Sequence, residues 1–302
     1  MSLRVAIVTD QPGWHGRELR RALARRGASA RYCSLTRARL ALDGDVRVLL
    51  PGFEDTLPDA VFVRGVPGGS LAQVVYHLNV LHALKDLGVP VYNDGRAIER
   101  SVDKCLTTLR LRQAGVPTPD TWVCSEAGQA RELVARQGRD GALVCKPLFG
   151  SQGKGLRLLR GPGDLPDAAA VDGVWYLQRF IGAATGPGRD WRVFVVGGRA
   201  VAAMRRDAPG WLANVAQGAL CHPALPEGPL RELAEAAVAV LRMDYAGVDL
   251  MRDAEDRWWV IEVNSIPAWQ GLQSVTPLDI AGVLADDLLR RCGRPRLCEA
   301  AP

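Results

Sequence analysis

The chain has 302 residues, 48% hydrophobic and 24% charged, with a formal net charge of +5 and no apolar run near the ~18 residues a membrane span needs. That length supports a large core and two or three compact domains, and the composition argues against a disordered or membrane-embedded chain. The basic excess is modest and forms no run, which favours anionic small substrates over nucleic acid.

In chain order, the first ~95 residues alternate strand and helix. Val5 to Thr9 reads as a strand, Gly16 to Arg26 as an amphipathic helix, and Val46 to Leu50 and Ala60 to Arg64 as strands. Ser70 to Leu87 reads as a longer helix and Val89 to Tyr92 as a strand closed by Asn93-Asp94-Gly95. This rhythm predicts a small parallel α/β domain, whose ligands lie beyond the carboxyl ends of the strands. Arg64 ends one such strand and opens into Gly65-Val66-Pro67-Gly68-Gly69. Its guanidinium is either an ordinary surface charge or a bidentate grip on a carboxylate.

Ser101-Val102-Asp103-Lys104 opens a second segment, with Ser101 expected to cap a helix running to Ala114. A cation in the first turn does not complement the helix dipole, so Lys104 is expected to reach an anion. After a helix near 127–137, the strand ending in Cys145-Lys146 runs into Gly150-Ser151-Gln152-Gly153-Lys154-Gly155. The glycines let backbone N–H groups approach a phosphate, and Lys146 can reach the same oxygens. No GxxxxGK[ST] motif occurs. Of 38 basic residues only four are lysine, Lys85, Lys104, Lys146 and Lys154. A compact ammonium is thus kept mainly between 104 and 154, where arginine's planar fork is no equivalent on a phosphate.

Val174 to Ile181 reads as an apolar strand that could offer adenine a flat wall, or simply as a buried strand. Asp190 to Arg206 reads as a hairpin turning at Gly197-Gly198, with Arg192 and Arg205 flanking the turn where cations could neutralise a transferring phosphoryl group. After a helix from Pro229 to Leu241 come Gly247-Val248-Asp249-Leu250-Met251 and Trp258-Trp259-Val260-Ile261-Glu262-Val263-Asn264-Ser265. Strand alternation places Glu262 and Asn264 on one face. Two acids and an amide that converge are oxygen donors suited to Mg²⁺ held with substrate phosphates. The seven cysteines are odd in number, scattered and without CxxC, which indicates neither a disulfide framework nor zinc. The N-terminal residues lack a signal-peptide pattern, so the chain is expected in the cytoplasm. There is no GxSxG and no Cys/His pairing that would indicate a nucleophile.

In this order the motifs resemble the ATP-grasp superfamily of carboxylate–amine ligases, and within it the RimK-like α-L-glutamate ligases, over about residues 5 to 290. The resemblance implies an α/β fold: a Rossmann-like pre-ATP-grasp domain at 1–98, then a two-part α+β ATP-grasp fold at 99–185 and 186–292, and a tail at 293–302. It implies ATP held by Lys104, Lys146, Ser151, Gln152, Gly153, Gln178, Arg179, Phe180, Asp190 and Asn214, with Arg179 and Phe180 lining the adenine pocket. Asp249, Glu262 and Asn264 would hold two Mg²⁺ ions, or Mn²⁺ in their place. Arg192 and Arg205 would be catalytic; Arg64, Trp211 and Ser265 would face the substrate.

Near Asn214 the chain lacks the Arg-Ser-Asn of the ribosome-modifying branch and carries Trp211-Leu212-Ala213-Asn214-Val215-Ala216-Gln217-Gly218. That stretch, with Phe62 to Gly69 and Val91 to Asp94, is more similar to ligases that add glutamate to tetrahydromethanopterin-type cofactors. The expected enzyme therefore joins glutamate to a small-molecule carboxylate, without nucleic-acid or membrane partners, as a homo-oligomer. The alternatives are glutamylation of a protein C-terminus, a phosphotransferase that stops at phosphorylation, and a nucleotide-binding module without turnover.

Overall fold

The computed structural model describes residues 2–150, 153–182, 187–212 and 218–293. The chain divides into two compact units, one of Met1–Arg96, Ala268–Gln270 and Leu278–Pro302, the other of Ala97–Pro267 and Gly271–Pro277.

In the first unit, β1 (Arg4–Val8), β2 (Ser29–Cys33), β5 (Ala60–Val63) and β6 (Val91–Tyr92) form a parallel sheet of order β2-β1-β5-β6. Val5 to Val8 and Ala60 to Val63 are all buried, the continuous apolar run that a parallel sheet produces. Helix α1 (Gly13–Arg25) joins β1 to β2, and α2 (Leu71–Asp86) joins β5 to β6. Ser70 caps α2 in a reciprocal box with Gln73. The strand expected at 46–50 is instead half of a separate antiparallel ribbon, β3 (Arg39–Ala41) with β4 (Arg47–Leu49). The C-terminal helix α8 (Ile280–Cys292) packs on α1, burying Ile280, Leu284 and Leu288, and Arg26 grips Asp286 at 2.5 and 2.6 Å. No described helix is long and apolar enough to cross a membrane.

One helix, α3 (Gly95–Val102), ends where a single helix was expected to start, and another, α4 (Lys104–Gln113), follows. The residue between them, Asp103, is extended, and its carboxylate accepts the Leu106 N–H at 2.9 Å, so Asp103 and not Ser101 is the cap. The Ser101 hydroxyl instead serves Ile98 O and Ser265 Oγ, at 3.0 and 2.6 Å.

Four strands, β7 (Thr121–Cys124), β8 (Leu143–Lys146), β9 (Arg157–Leu159) and β10 (Trp175–Arg179), make an antiparallel sheet of order β7-β10-β8-β9. One face, with Leu143, Cys145, Trp175 and Leu177, packs with Ala130 and Val134 of α5 (Ala127–Gln137). Alternation leaves Lys146, Tyr176 and Gln178 on the other face.

The remaining strands, β11 (Gly188–Val196), β12 (Arg199–Ala208), β13 (Leu220–Ala224), β14 (Tyr245–Arg252) and β15 (Trp258–Asn264), form a sheet of order β13-β12-β11-β14-β15. The β11–β12 turn places Gly197 and Gly198 at φ +57° and +77°, the left-handed pair a two-residue hairpin requires. Val193, Val195, Ala203, Val248, Leu250 and Val263 pack with Ala234, Ala237, Val238 and Leu241 of α6 (Gly228–Leu241). A short helix, α7 (Gln270–Gln273), lies beyond β15. The face of this sheet away from α6 is polar, and the site is built there.

Candidate active site

On that polar face, neighbouring strands alternate charge. Asp190 on β11 receives two hydrogen bonds from Arg206 on β12, both at 2.6 Å. A second guanidinium, Arg192, grips Asp249 across the β11–β14 pair at 2.7 and 2.6 Å, and Arg206 also reaches Asp249 at 3.1 Å. Asp190, Arg206 and Asp249 are all buried. Burial pushes the Asp249 carboxyl up, but Arg192 and Arg206 outweigh it and hold it down at about 2. Asp190 is pushed up instead, because desolvation together with the neighbouring Asp249 charge outweighs Arg206 and Arg192. Arg206 keeps its charge against burial through both carboxylates.

Across the β14–β15 pair, Glu262 stands opposite Asp249 and Asn264 opposite Gly247. A Cβ on Gly247 would lie 2.9 Å from Pro267 Cβ and 3.6 Å from Arg192 Cδ, so glycine leaves room beside the arginine. Glu262 acts electrostatically on two lysines of the unit's other strands and helices, Lys104 and Lys146. Lys104 donates to Gly150 O at 3.0 Å and Leu148 O at 3.4 Å in the glycine-rich loop. Lys146 is buried and donates to Gln178 Oε1 at 2.6 Å. Desolvation, with Lys104 nearby, pushes the Lys146 ammonium down to about 8, against the pull of Glu262 and Asp249. Burial lowers Lys104 as well, opposed by Glu262 and Asp103.

The chain and its fold match known proteins. A RimK-like ATP-grasp domain is recognised over residues 101–288. The chain belongs to the RimK-like ATP-grasp family. It is 28% identical to the tetrahydromethanopterin:alpha-L-glutamate ligase of Methanococcus maripaludis, over 95% of this chain and 98% of that one. Against the ligase of the same name from Methanocaldococcus jannaschii, identity is 32% over 77% of this chain and 79% of that one. Among solved structures, the ATP-grasp ligase PsnB complexed with a phosphomimetic variant of its minimal precursor, Mg and ADP superposes with a TM-score of 0.74 at 20% identity. That likeness covers 95% of this chain and 98% of PsnB, and it shows the ATP-grasp fold. The chain is an ATP-grasp ligase.

Several residues of the ligase lie elsewhere than the sequence places them. Arg205 pairs with Trp191 in the hairpin register, on the face opposite Arg192, and bonds Asp207 at 3.0 Å; Arg206 occupies the site. Nothing about the adjacent arginines distinguishes them in sequence, so Arg206 is missed there. Arg179 also faces away: its guanidinium serves Gln137 O and Gly141 O, both at 2.8 Å, over the Trp122 ring. Phe180 and Trp211, expected at separate pockets, meet edge to face at 5.9 Å. Both line one cavity of about 300 Å³ with Trp191, Met251 and Arg252. Ser265 is buried, 3% exposed, and hydrogen-bonded to the Ser101 hydroxyl. Gly153 is described at φ +69°; Ser151, Gln152 and Asn214 lie outside the described residues.

In the first unit, Arg64 lies with its guanidinium carbon 4.6 Å from the Trp269 ring centroid. His15 Nε2 accepts the backbone N–H groups of Trp269 and Gln270 at 3.0 and 3.2 Å, which requires it unprotonated; burial and Arg64 pull its pKa down to about 4.

The residues fit a magnesium–nucleotide site. Asn264 Nδ2 is buried without a hydrogen-bond partner among the described residues, and a side-chain amide can turn its oxygen into that position. Asp249 keeps a lone pair beyond those the guanidiniums use, and Glu262 faces it. Among the described residues no cluster of three or more His, Cys, Asp or Glu forms, so a cation here would depend on phosphate oxygens, as Mg²⁺ does in nucleotide sites.

Proposed function

We propose that this ligase joins the amine of L-glutamate to a carboxylate on a pterin-like small molecule. The observation that carries the chemistry is the alternating row Asp190, Arg206, Asp249, Arg192 beside Glu262, Asn264 and two lysines. A carboxylate is a poor electrophile. Its oxygen therefore attacks the γ-phosphorus of ATP, the bond to the bridging oxygen breaks, and ADP leaves an acyl phosphate. The glutamate nitrogen attacks the acyl carbon and loses a proton, and phosphate departs with the electron pair of the broken C–O bond.

Lys104 and Lys146 hold phosphate oxygens, a role shared with Ser151, Gln152 and Gly153, and Arg192 and Arg206 offset charge on the transferring group. Asp249, Glu262 and Asn264 would hold two Mg²⁺ ions, or Mn²⁺, whose contribution when bound is to neutralise the phosphates and align them. The shared cavity is assigned to the base of the nucleotide, because Met251 follows Asp249 by two residues on one strand face and Phe180 follows Gln178 by two. Trp211 thus moves from the acceptor to the nucleotide; Asn214 stays with the nucleotide. Arg64 remains the acceptor's carboxylate contact.

The acceptor class rests on similarity to the Methanococcus maripaludis and Methanocaldococcus jannaschii ligases, whose names specify tetrahydromethanopterin and glutamate. On this reading the enzyme acts in the cytoplasm. A homo-oligomer, the subdomain limits 99–185 and 186–292 and a tail at 293–302 belong to the same proposal.

The test supplies acceptor–amine pairs, measures ADP and phosphate, and weighs the product. Both should appear only with a pterin carboxylate and glutamate together, apart from slow leakage, and the product should gain one or more glutamyl units. ADP release without amine would make the protein a kinase, and glutamylation of peptides alone would replace the pterin by a protein terminus. ATP binding without turnover on any pair would remove the enzymatic reading.

A further inference from the structure

Tyr176 and Gln178 are two apart on β10 and face the same way, with Lys146 opposite Tyr176 on β8. An ammonium has donors only, so the Gln178 amide must present its oxygen to Lys146, as the 2.6 Å contact shows. Its nitrogen then has two hydrogens to place inside the protein. One goes to Thr121 Oγ1 at 3.1 Å and the other to the Tyr176 hydroxyl at 3.0 Å. Thr121 spends its own proton on Pro119 O at 2.9 Å, so only its lone pairs face the amide. Tyr176, accepting from the amide, finds Thr108 Oγ1 2.6 Å away as the nearest acceptor for its own proton, with Thr121 also beside it. The phenol is pushed up to about 12 by burial and keeps that proton at any working pH. Every bond in the chain therefore has one polarity, and both ends are threonine hydroxyls. Thr108 lies one helical turn beyond Lys104 on α4, so one helix places Lys104 at the glycine-rich loop and anchors the chain that ends on Lys146.

We propose that Thr108 and Thr121 are positioning residues that hold the Gln178 amide in the one orientation that steadies the Lys146 ammonium for a nucleotide phosphate. This rests on the assignment of Lys146 to phosphate binding. Without the Thr108 acceptor, the buried Tyr176 proton turns toward Gln178, the amide rotates, and its N–H groups confront the ammonium.

The experiment measures steady-state ATP KM, kcat and thermal melting for Thr108→Val, Thr121→Val, Thr108→Ser, Tyr176→Phe and Lys146→Ala. Each valine variant and Tyr176→Phe should raise ATP KM roughly fivefold to tenfold, the scale of one lost buried hydrogen bond, with kcat within about twofold. Thr108→Ser should return to wild-type KM. An unchanged KM in Thr108→Val and Tyr176→Phe, or Thr108→Ser as impaired as Thr108→Val, overturns the inference; the first result shows no polarity lock and the second shows packing instead. If a valine variant fails to fold, Tyr176→Phe decides. Lys146→Ala separates the two levels: unchanged ATP KM there removes the phosphate assignment itself, whereas a raised KM there beside silent threonine variants removes only the positioning role.

Discussion

Two guanidiniums on one carboxylate make Asp249 a structural and a chemical residue at once. Asp249→Asn leaves Arg192 and Arg206 short of a buried counter-charge, so it should destabilise the fold by about 3 kcal/mol as well as abolish turnover. Glu262 bears no such burden: it is half-buried and acts on the lysines only through space. Glu262→Gln should therefore reduce turnover on the order of a hundredfold or more with an unchanged urea midpoint. Near-wild-type rates at moderate Mg²⁺ would end the metal assignment for Glu262. The lysines divide in the same way. Lys146 is enclosed, and Lys146→Arg should raise ATP KM by about tenfold or more because the planar fork cannot occupy a site shaped for an ammonium. Lys85, ion-paired to Asp94 on the first unit's surface, should tolerate Lys85→Arg with no kinetic change, and equal effects at both positions would refute the contrast. With the Lys146 pKa at about 8, kcat/KM for ATP should fall as pH rises above 8 and the free enzyme loses its ammonium.

At the scale of elements, the β11–β12 hairpin decides which arginine serves the site. Counted regularly from Gly197-Gly198, Asp190 would face Arg205. The register slips between Phe194 and Val195, so Asp190 faces Arg206, and a one-residue slip moves every later side chain to the other face. The same hairpin's open end carries the cavity where Trp211 meets Phe180. Trp211→Ala removes a ring from that wall and should raise ATP KM severalfold while the acceptor KM stays within about twofold. A change in acceptor KM alone would return Trp211 to the acceptor. The sequence showed the hairpin, its glycine turn and the strands of Asp249 and Glu262, because periodicity and turn residues are local signals. It could not show the bulge or the turning of Arg179 onto Gln137 and Gly141, because each depends on a partner distant in sequence; the end of α3 at Val102 is instead a local signal misread, with Asp103 rather than Ser101 as the cap.

For the whole molecule, charges buried in the site make stability depend on acid. Unfolded, Asp249 titrates near the ordinary ~3.9. Folded, it is held at about 2, so its contribution is complete above the unfolded value and is lost as pH falls through the folded one. Thermal melts of the wild type should drop between roughly pH 4 and 2, and Asp249→Asn should flatten that drop; identical slopes would refute the linkage. Two kinds of information meet in this protein. Its sequence by itself determined membership of the ligase family, through the order of Lys104, Lys146 with its glycine-rich loop, Asp190, Asp249 and Glu262-Val263-Asn264, because spacing along a chain is preserved in the string of letters. Only the tertiary structure decided that Arg206 rather than Arg205 joins Asp190, that Trp211 shares a cavity with Phe180, and that Thr108 and Thr121 end the hydrogen-bond chain on Lys146. Those choices follow from strand register and from which buried donors find acceptors, and both are settled only when distant segments pack together.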